Sequence, residues 1–202
     1  MNKRKLSWIN ASVLLTLCFL LLGNDSYAQE KIYWTTEKEI TLEDFKSPTT
    51  TIGSVEMNSL QLGATIELGM MMSSAEFMFT KNFNDKVSAT MQPYSSVLIA
   101  TDKATSEHMI RFANYQFDLC ELYARKLRKG LFDVKKLGSS VTFIQNQFDG
   151  IMMAYTNELS SAMQQTNLGL RNDLLEDLHQ KVIVEILELD DFCKECKPPK
   201  KK

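Results

Sequence analysis

The strongest constraint on the fold is a long stretch of helical periodicity from Thr105 to Gly130. Its apolar residues recur every three or four positions, and they are Phe112, Tyr115, Leu119, Leu122, Tyr123 and Leu127. The pattern predicts an amphipathic helix with one wide apolar face, ended by Gly130. The charged residues between these positions are expected to point away from that face, and they include Arg111, Asp118, Arg125 and Arg128.

The periodicity changes near residue 100. Segments 65–83 and 86–100 alternate apolar with polar residues and are interrupted by the turn-forming sequences NFND and QPYSS, which is typical of strands. Two further helices are predicted at 140–165 and 170–189. Because the strands precede the helices, we expect an α+β fold with N-terminal antiparallel strands followed by three helices.

The first 28 residues have the three parts of a secretory signal peptide. A basic segment, NKRK, precedes an uncharged apolar run from Ala11 to Gly23, and Ser26 and Ala28 supply small residues before the cleavage point. We therefore expect the mature protein to begin at Gln29 and to be exported to the periplasm or the extracellular space.

Two other uses of this segment are less consistent with its sequence. A lipoprotein would be modified at Cys18, but Leu17 is larger than the residue that usually precedes a lipidated cysteine. A retained membrane anchor needs about 20 apolar residues, and this run is shorter. We expect no transmembrane anchor after cleavage.

The charge of the mature chain argues against nucleic acid as a partner. Removing Lys3, Arg4, Lys5 and Asp25 from 23 basic and 25 acidic residues leaves 20 and 24, a formal charge of −4. Residues 29–192 suffice for a single domain. Residues 193–202 hold a C-x-x-C motif and a basic tail that is predicted to be disordered.

The mature chain contains three cysteines. In an oxidising compartment, Cys193 and Cys196 are most simply a local disulfide, and a redox or metal function for the motif is the alternative. Cys120 lies within the long helix. A lone cysteine of this kind is usually a small buried hydrophobic residue.

The long helix also resembles the corresponding helix of a known family. Its sequence, RFANYQFDLCELYARKLRKG, is similar to the segment H-E-Q-x-H-F-D-I-x-E-x-Y-A-R-K of secreted, Bacteroidetes-type bacterial proteins of unknown function (domain of unknown function nine-two-two). The residues that match in register are Phe117, Asp118, Glu121, Tyr123, Ala124, Arg125 and Lys126. Looser matches, ITLEDFKS and QTNLGL, extend the resemblance over residues 34–190.

The resemblance implies a zincin-like helix that has lost its chemistry. In the H-E-x-x-H motif, two histidines hold zinc and the glutamate is the general base. The corresponding positions here are Phe112, Ala113 and Gln116, and Leu168 replaces a further histidine. The implied protein is catalytically inactive and has no metal or cofactor. It would be a binding or structural module of the cell envelope, with an envelope protein or ligand that the sequence does not identify.

A residual hydrolase is the alternative from another class. It would use Cys120, with His108 one helical turn before Phe112, or the carboxylates of Asp118 and Glu121. An ion pair between Glu121 and Arg125 is a simpler use of that carboxylate, and His179 is expected to be an ordinary polar helix residue. A polar cleft around Cys120 would favour the enzyme, whereas a filled interior at Phe112 would favour a binding or structural role.

Overall fold

The structure is a computed structural model that describes residues 30–69, 79–134 and 142–200. The predicted signal peptide and part of the first predicted strand segment, at 70–78, lie outside the described residues.

In the described ranges, six short strands form two three-stranded sheets. The first sheet has the order β1 (Ile32–Tyr33), β5 (Val87–Met91), β4 (Ala64–Leu68) and is antiparallel. The second has the order β2 (Thr51–Ile52), β6 (Val97–Ala100), β3 (Ser59–Gln61). Strand β3 is antiparallel to β6, whereas β2 is parallel to it, which is an exception to the antiparallel arrangement expected from the sequence.

Three helices follow the strands, and the predicted α+β class is confirmed. They are α1 (Lys103–Val134), α2 (Thr142–Thr166) and α3 (Asn172–Glu188). The predicted end of α1 at Gly130 is wrong, because the helix continues to Val134. A Cβ atom on Gly130 would lie 2.9 Å from Oε1 of Gln147 on α2, so a larger residue there would displace the end of that side chain.

Helix α1 is the centre of the core. It packs against β4, β5 and β6 on one side and against α2 and α3 on the other. The side chains that are 0% exposed along it are Met109, Phe112, Ala113, Leu119, Cys120, Leu122, Ala124 and Leu127. Burying a large apolar side chain of this kind stabilises a fold by about 1.5–3 kcal/mol, so the helix predicted from periodicity is also the main source of hydrophobic stabilisation.

The expected outward position of Arg125 and Arg128 is wrong. Their exposed fractions are 4% and 1%, and that of Glu121 is 3%. A periodic pattern predicts that charged residues lie at the surface, but these two side chains are buried against backbone carbonyls of neighbouring segments, which accept their hydrogen bonds. No helix in the described ranges is long and apolar enough to cross a membrane.

The loop between α2 and α3 packs closely on the first half of α1. Asn167 and Leu168 have φ values of 50° and 56°, and Gly169 follows with φ of 88°. A Cβ atom on Gly169 would lie 2.5 Å from the carbonyl oxygen of His108 and 3.1 Å from Cβ of Phe112. Only glycine fits this position without a shift of the loop.

Two glycine substitutions test this packing. Gly169→Ala should lower the free energy of unfolding by about 2 kcal/mol or more, because it adds a clash to a left-handed backbone position. Gly150→Ala is the matched control: Gly150 is an exposed residue of α2 with nothing within 4 Å of its added Cβ. That change should stabilise the protein by about 0.5–1 kcal/mol. Urea denaturation measures both, and equal effects would contradict the close contact.

Candidate functional site

The positions that the resemblance assigns to the metallopeptidase motif lie in the interior. Phe112 and Ala113 are 0% exposed and Gln116 is 6% exposed. The ring of Phe112 packs against that of Tyr115, with centroids 5.6 Å apart, and the Gly169 loop passes close to the Phe112 backbone and Cβ. This face of α1 is therefore filled by protein side chains.

Cys120 lies one helical turn after Gln116, in the same buried region of α1. It is a free thiol and is 0% exposed. Burial raises the pKa of the Cys120 thiol well above its ordinary value. A protonated and enclosed thiol is a poor nucleophile.

His108 does not assist this thiol. It stands twelve residues before Cys120 on the same straight helix, a separation of about 18 Å along the axis at the usual rise per residue. Its Nδ1 instead lies 2.7 Å from Nη2 of Arg111, near the surface. The structure therefore does not bring together the cysteine and the histidine that the sequence offered as a nucleophile and a base.

Asp118 is joined to two partners from distant parts of the chain. The indole Nε1 of Trp34 donates a hydrogen bond to its Oδ1 at 2.6 Å, and Nε2 of His179 lies 2.6 Å from its Oδ2. The edge of His179 meets the ring of Tyr115 at a centroid distance of 5.9 Å. This network was not predicted from the sequence, because nothing in the local pattern around Trp34 or His179 indicates a shared partner.

Glu121 is held by two arginines. Its Oε1 accepts hydrogen bonds from Nε of Arg125 at 3.0 Å and from Nη1 of Arg128 at 2.7 Å, and its Oε2 accepts one from Nη2 of Arg128 at 3.3 Å. The predicted pair with Arg125 is thus present, and Arg128 extends it into a buried three-residue ion cluster.

The two arginines also donate to backbone carbonyls. Arg125 Nη1 donates to Ile186 and Leu189 at the end of α3, at 2.9 and 3.4 Å. Arg128 donates to Val87 of β5 and to Phe192 in the C-terminal segment. Carbonyls at a helix C-terminus carry partial negative charge, so the guanidinium of Arg125 is well placed there.

A cleft of about 350 Å³ opens above this cluster, between β1, α1 and the C-terminal segment. Its deepest charged residues are Glu121, Arg125 and Arg128. Trp34 forms one wall, with the guanidinium carbon of Arg125 5.6 Å from its ring centroid. At the rim, Nζ of Lys194 lies 4.1 Å from the ring centroid of Tyr33.

The C-terminal side of the cleft is closed by a disulfide between Cys193 and Cys196, whose Cα atoms are 5.0 Å apart. The carbonyl of Cys196 accepts hydrogen bonds from the side-chain amides of Asn82 and Asn84, at 3.1 and 3.0 Å. Asn84 also donates to the carbonyl of Asp191. These contacts hold Asp191 and Cys196, and with them the C-x-x-C motif, against the domain.

Within the described parts of the chain, no group of three or more histidine, cysteine, aspartate or glutamate side chains is arranged to hold a metal ion. Comparison of the chain with protein-family models, curated proteins and solved structures finds no significant match. The resemblance to the secreted bacterial family accordingly stays a prediction from the sequence.

Thiol labelling tests the environment of Cys120. Cys120 should react with iodoacetamide only after the protein has been unfolded, because in the native state the thiol is enclosed and its pKa is raised by burial. Cys193 and Cys196 serve as the internal control and should react after reduction without unfolding. Mass spectrometry locates the labels. Rapid labelling of Cys120 in the folded, unreduced protein would contradict this description and support the hydrolase.

Proposed function

We propose that this is an exported, catalytically inactive zincin-like protein that acts as a binding or structural module of the cell envelope, in the periplasm or outside the cell. The observation that carries the proposal is the complete burial of Phe112 at the place where the resembling family has its first zinc ligand. A phenyl ring in a packed interior leaves neither a ligand nor room for a metal-bound water.

The packing of the α2–α3 loop supports a zincin-like ancestry. A zinc site on a helix needs two imidazoles at i and i+4 and a third ligand from a nearby segment. Phe112 and Gln116 have the first spacing, and the backbone at Gly169, next to Leu168, approaches α1 so closely that an added Cβ would lie 3.1 Å from Cβ of Phe112. All three vestigial ligand positions therefore belong to segments in contact, as the resemblance implies.

The contacts of the other candidates favour binding over residual hydrolysis. Cys120 is enclosed, both carboxylate oxygens of Asp118 have partners, and those of Glu121 are held by Arg125 and Arg128. The Cys193–Cys196 disulfide is consistent with an oxidising compartment and so supports export. The open polar cleft lies at Trp34 and Arg125, away from the vestigial positions.

Restoring the missing ligands tests the proposal. The unmodified protein should contain no stoichiometric zinc and show no peptidase activity that a chelator abolishes. Phe112→His, Ala113→Glu, Gln116→His and Leu168→His together should create zinc binding, because they supply the spacing and a third ligand on a contacting loop. Isothermal titration with zinc measures the affinity.

The matched control is Gln145→His with Asp149→His, an i,i+4 pair on the exposed face of α2. The restored site should bind zinc at least tenfold more tightly than this pair. Replacing Phe112 removes a buried ring at a cost of about 3–5 kcal/mol, so circular dichroism must first show a folded variant. If that variant does not fold, zinc binding is measured instead with the double variant Gln116→His, Leu168→His, which keeps Phe112. Zinc affinity no higher than the control would contradict the ancestry, and tight zinc in the unmodified protein would contradict the inactivity.

A further inference from the structure

The deepest part of the cleft carries more positive than negative charge. Arg125 and Arg128 face the single carboxylate of Glu121, and the side chains of all three are 5% exposed or less. Buried ions cost several kcal/mol each unless they are paired, and here one guanidinium charge is left without a buried anion. The carbonyl oxygens around the arginines reduce this cost but carry only partial charge.

Arg125, unlike Arg128, has N–H donors that no described residue accepts. All three guanidinium nitrogens of Arg128 donate to Glu121, Val87 or Phe192. Those of Arg125 are used at Nε and Nη1, whereas Nη2 has no hydrogen-bond partner among the described residues. Arg125 is 96% buried as a residue, since its exposed fraction is 4%, and it lines the cleft. Two N–H donors are therefore presented to whatever occupies the cleft.

The acidic groups at the rim are too exposed to cancel the charge of the floor. Asp190 approaches Arg125 Nη1 at 3.8 Å, but its side chain is 82% exposed, so water screens its charge. Glu37 and Glu195 are also exposed at the rim, opposed by Lys194, and are screened in the same way. One negative charge on a ligand would therefore neutralise the surplus charge of the floor, whereas a second negative charge would have no buried cation to pair with.

Shape and polarity restrict the ligand further. A volume of about 350 Å³ corresponds to the lower end of small-molecule sites, and Trp34 and Tyr33 give the cleft apolar surface beside its charged floor. Because Nε and Nη1 of Arg125 are already used, Nη2 donates alone and a two-nitrogen fork is not available to the ligand. A carboxylate brings one negative charge, which matches the one surplus charge of the floor, whereas inorganic phosphate carries more charge near neutral pH.

We propose that this cleft binds the carboxylate of a small amphiphilic monoanion, with Arg125 Nη2 as the anchor, Trp34 as the apolar wall and Lys194 as a second cation at the rim. The inference rests on the proposed role as a binding module. The carboxylate could belong to a free small acid or to the C-terminus of a short peptide, and the same group would be recognised in both.

Trp34 is a built-in reporter for this test. The sequence contains two tryptophans, Trp8 and Trp34, and Trp8 lies within the predicted signal peptide. The fluorescence of protein purified from the exported fraction, with its N-terminus identified by mass, therefore comes from the cleft. The probes are N-acetylalanine, its uncharged amide, trialanine acetylated at its N-terminus with a free or an amidated C-terminus, and inorganic phosphate.

N-acetylalanine or acetylated trialanine with a free C-terminus should give a saturable change in Trp34 fluorescence, with the amides and phosphate at least tenfold weaker. Tighter binding of trialanine identifies a peptide terminus, and tighter binding of N-acetylalanine identifies a free acid. Arg125→Lys should weaken binding at least tenfold. Since that variant alters the buried cluster, Lys194→Glu provides a surface test, with Lys197→Glu as the matched control beyond the disulfide.

Lys194→Glu should reduce the affinity several-fold and Lys197→Glu should leave it unchanged. No saturable response, an equal response to acid and amide, or equal effects of the two lysine variants would each overturn the proposal. These results are independent of zinc binding and peptidase activity, so failure of the carboxylate site and failure of the inactive zincin-like assignment are distinguishable.

Discussion

The buried ion cluster of Glu121, Arg125 and Arg128 determines how the rest of the molecule is arranged around α1. Each arginine donates hydrogen bonds both to Glu121 and to backbone carbonyls of other elements. The end of α3, strand β5 and the C-terminal segment are thereby tied to one helix. Hydrophobic burial stabilises the interior, but these directional hydrogen bonds fix which segments meet at this end of the helix.

The long helix separates two environments. The region of Phe112 and Cys120 is closed by the core and by the Gly169 loop, whereas Arg125 and Trp34 border an open cleft. Arg125 lies about three and a half helical turns after Phe112, so the closed region and the accessible polar surface are separate parts of α1.

Local sequence patterns were sufficient to predict the fold class, but they were not sufficient to predict which residues form the cleft and the ion cluster. The 3.6-residue period of Phe112, Leu119 and Leu127 correctly predicted a core helix, because such a period reports burial along one face. The burial of Arg125 depends on carbonyls 61 and 64 residues away, and no local sequence signal reports them. The strands before residue 64 are two or three residues long, which is too short for a periodic pattern.

The stability effect of removing one member of the ion cluster tests this account most directly. Arg128→Met keeps much of the side-chain volume but leaves Glu121 and two carbonyl acceptors without this partner, so it should lower the free energy of unfolding by about 3 kcal/mol or more. Arg111→Met changes an exposed arginine of the same helix and should cost less than about 1 kcal/mol. Urea denaturation of both variants measures these values. A similar small loss for both would contradict the central role of the cluster.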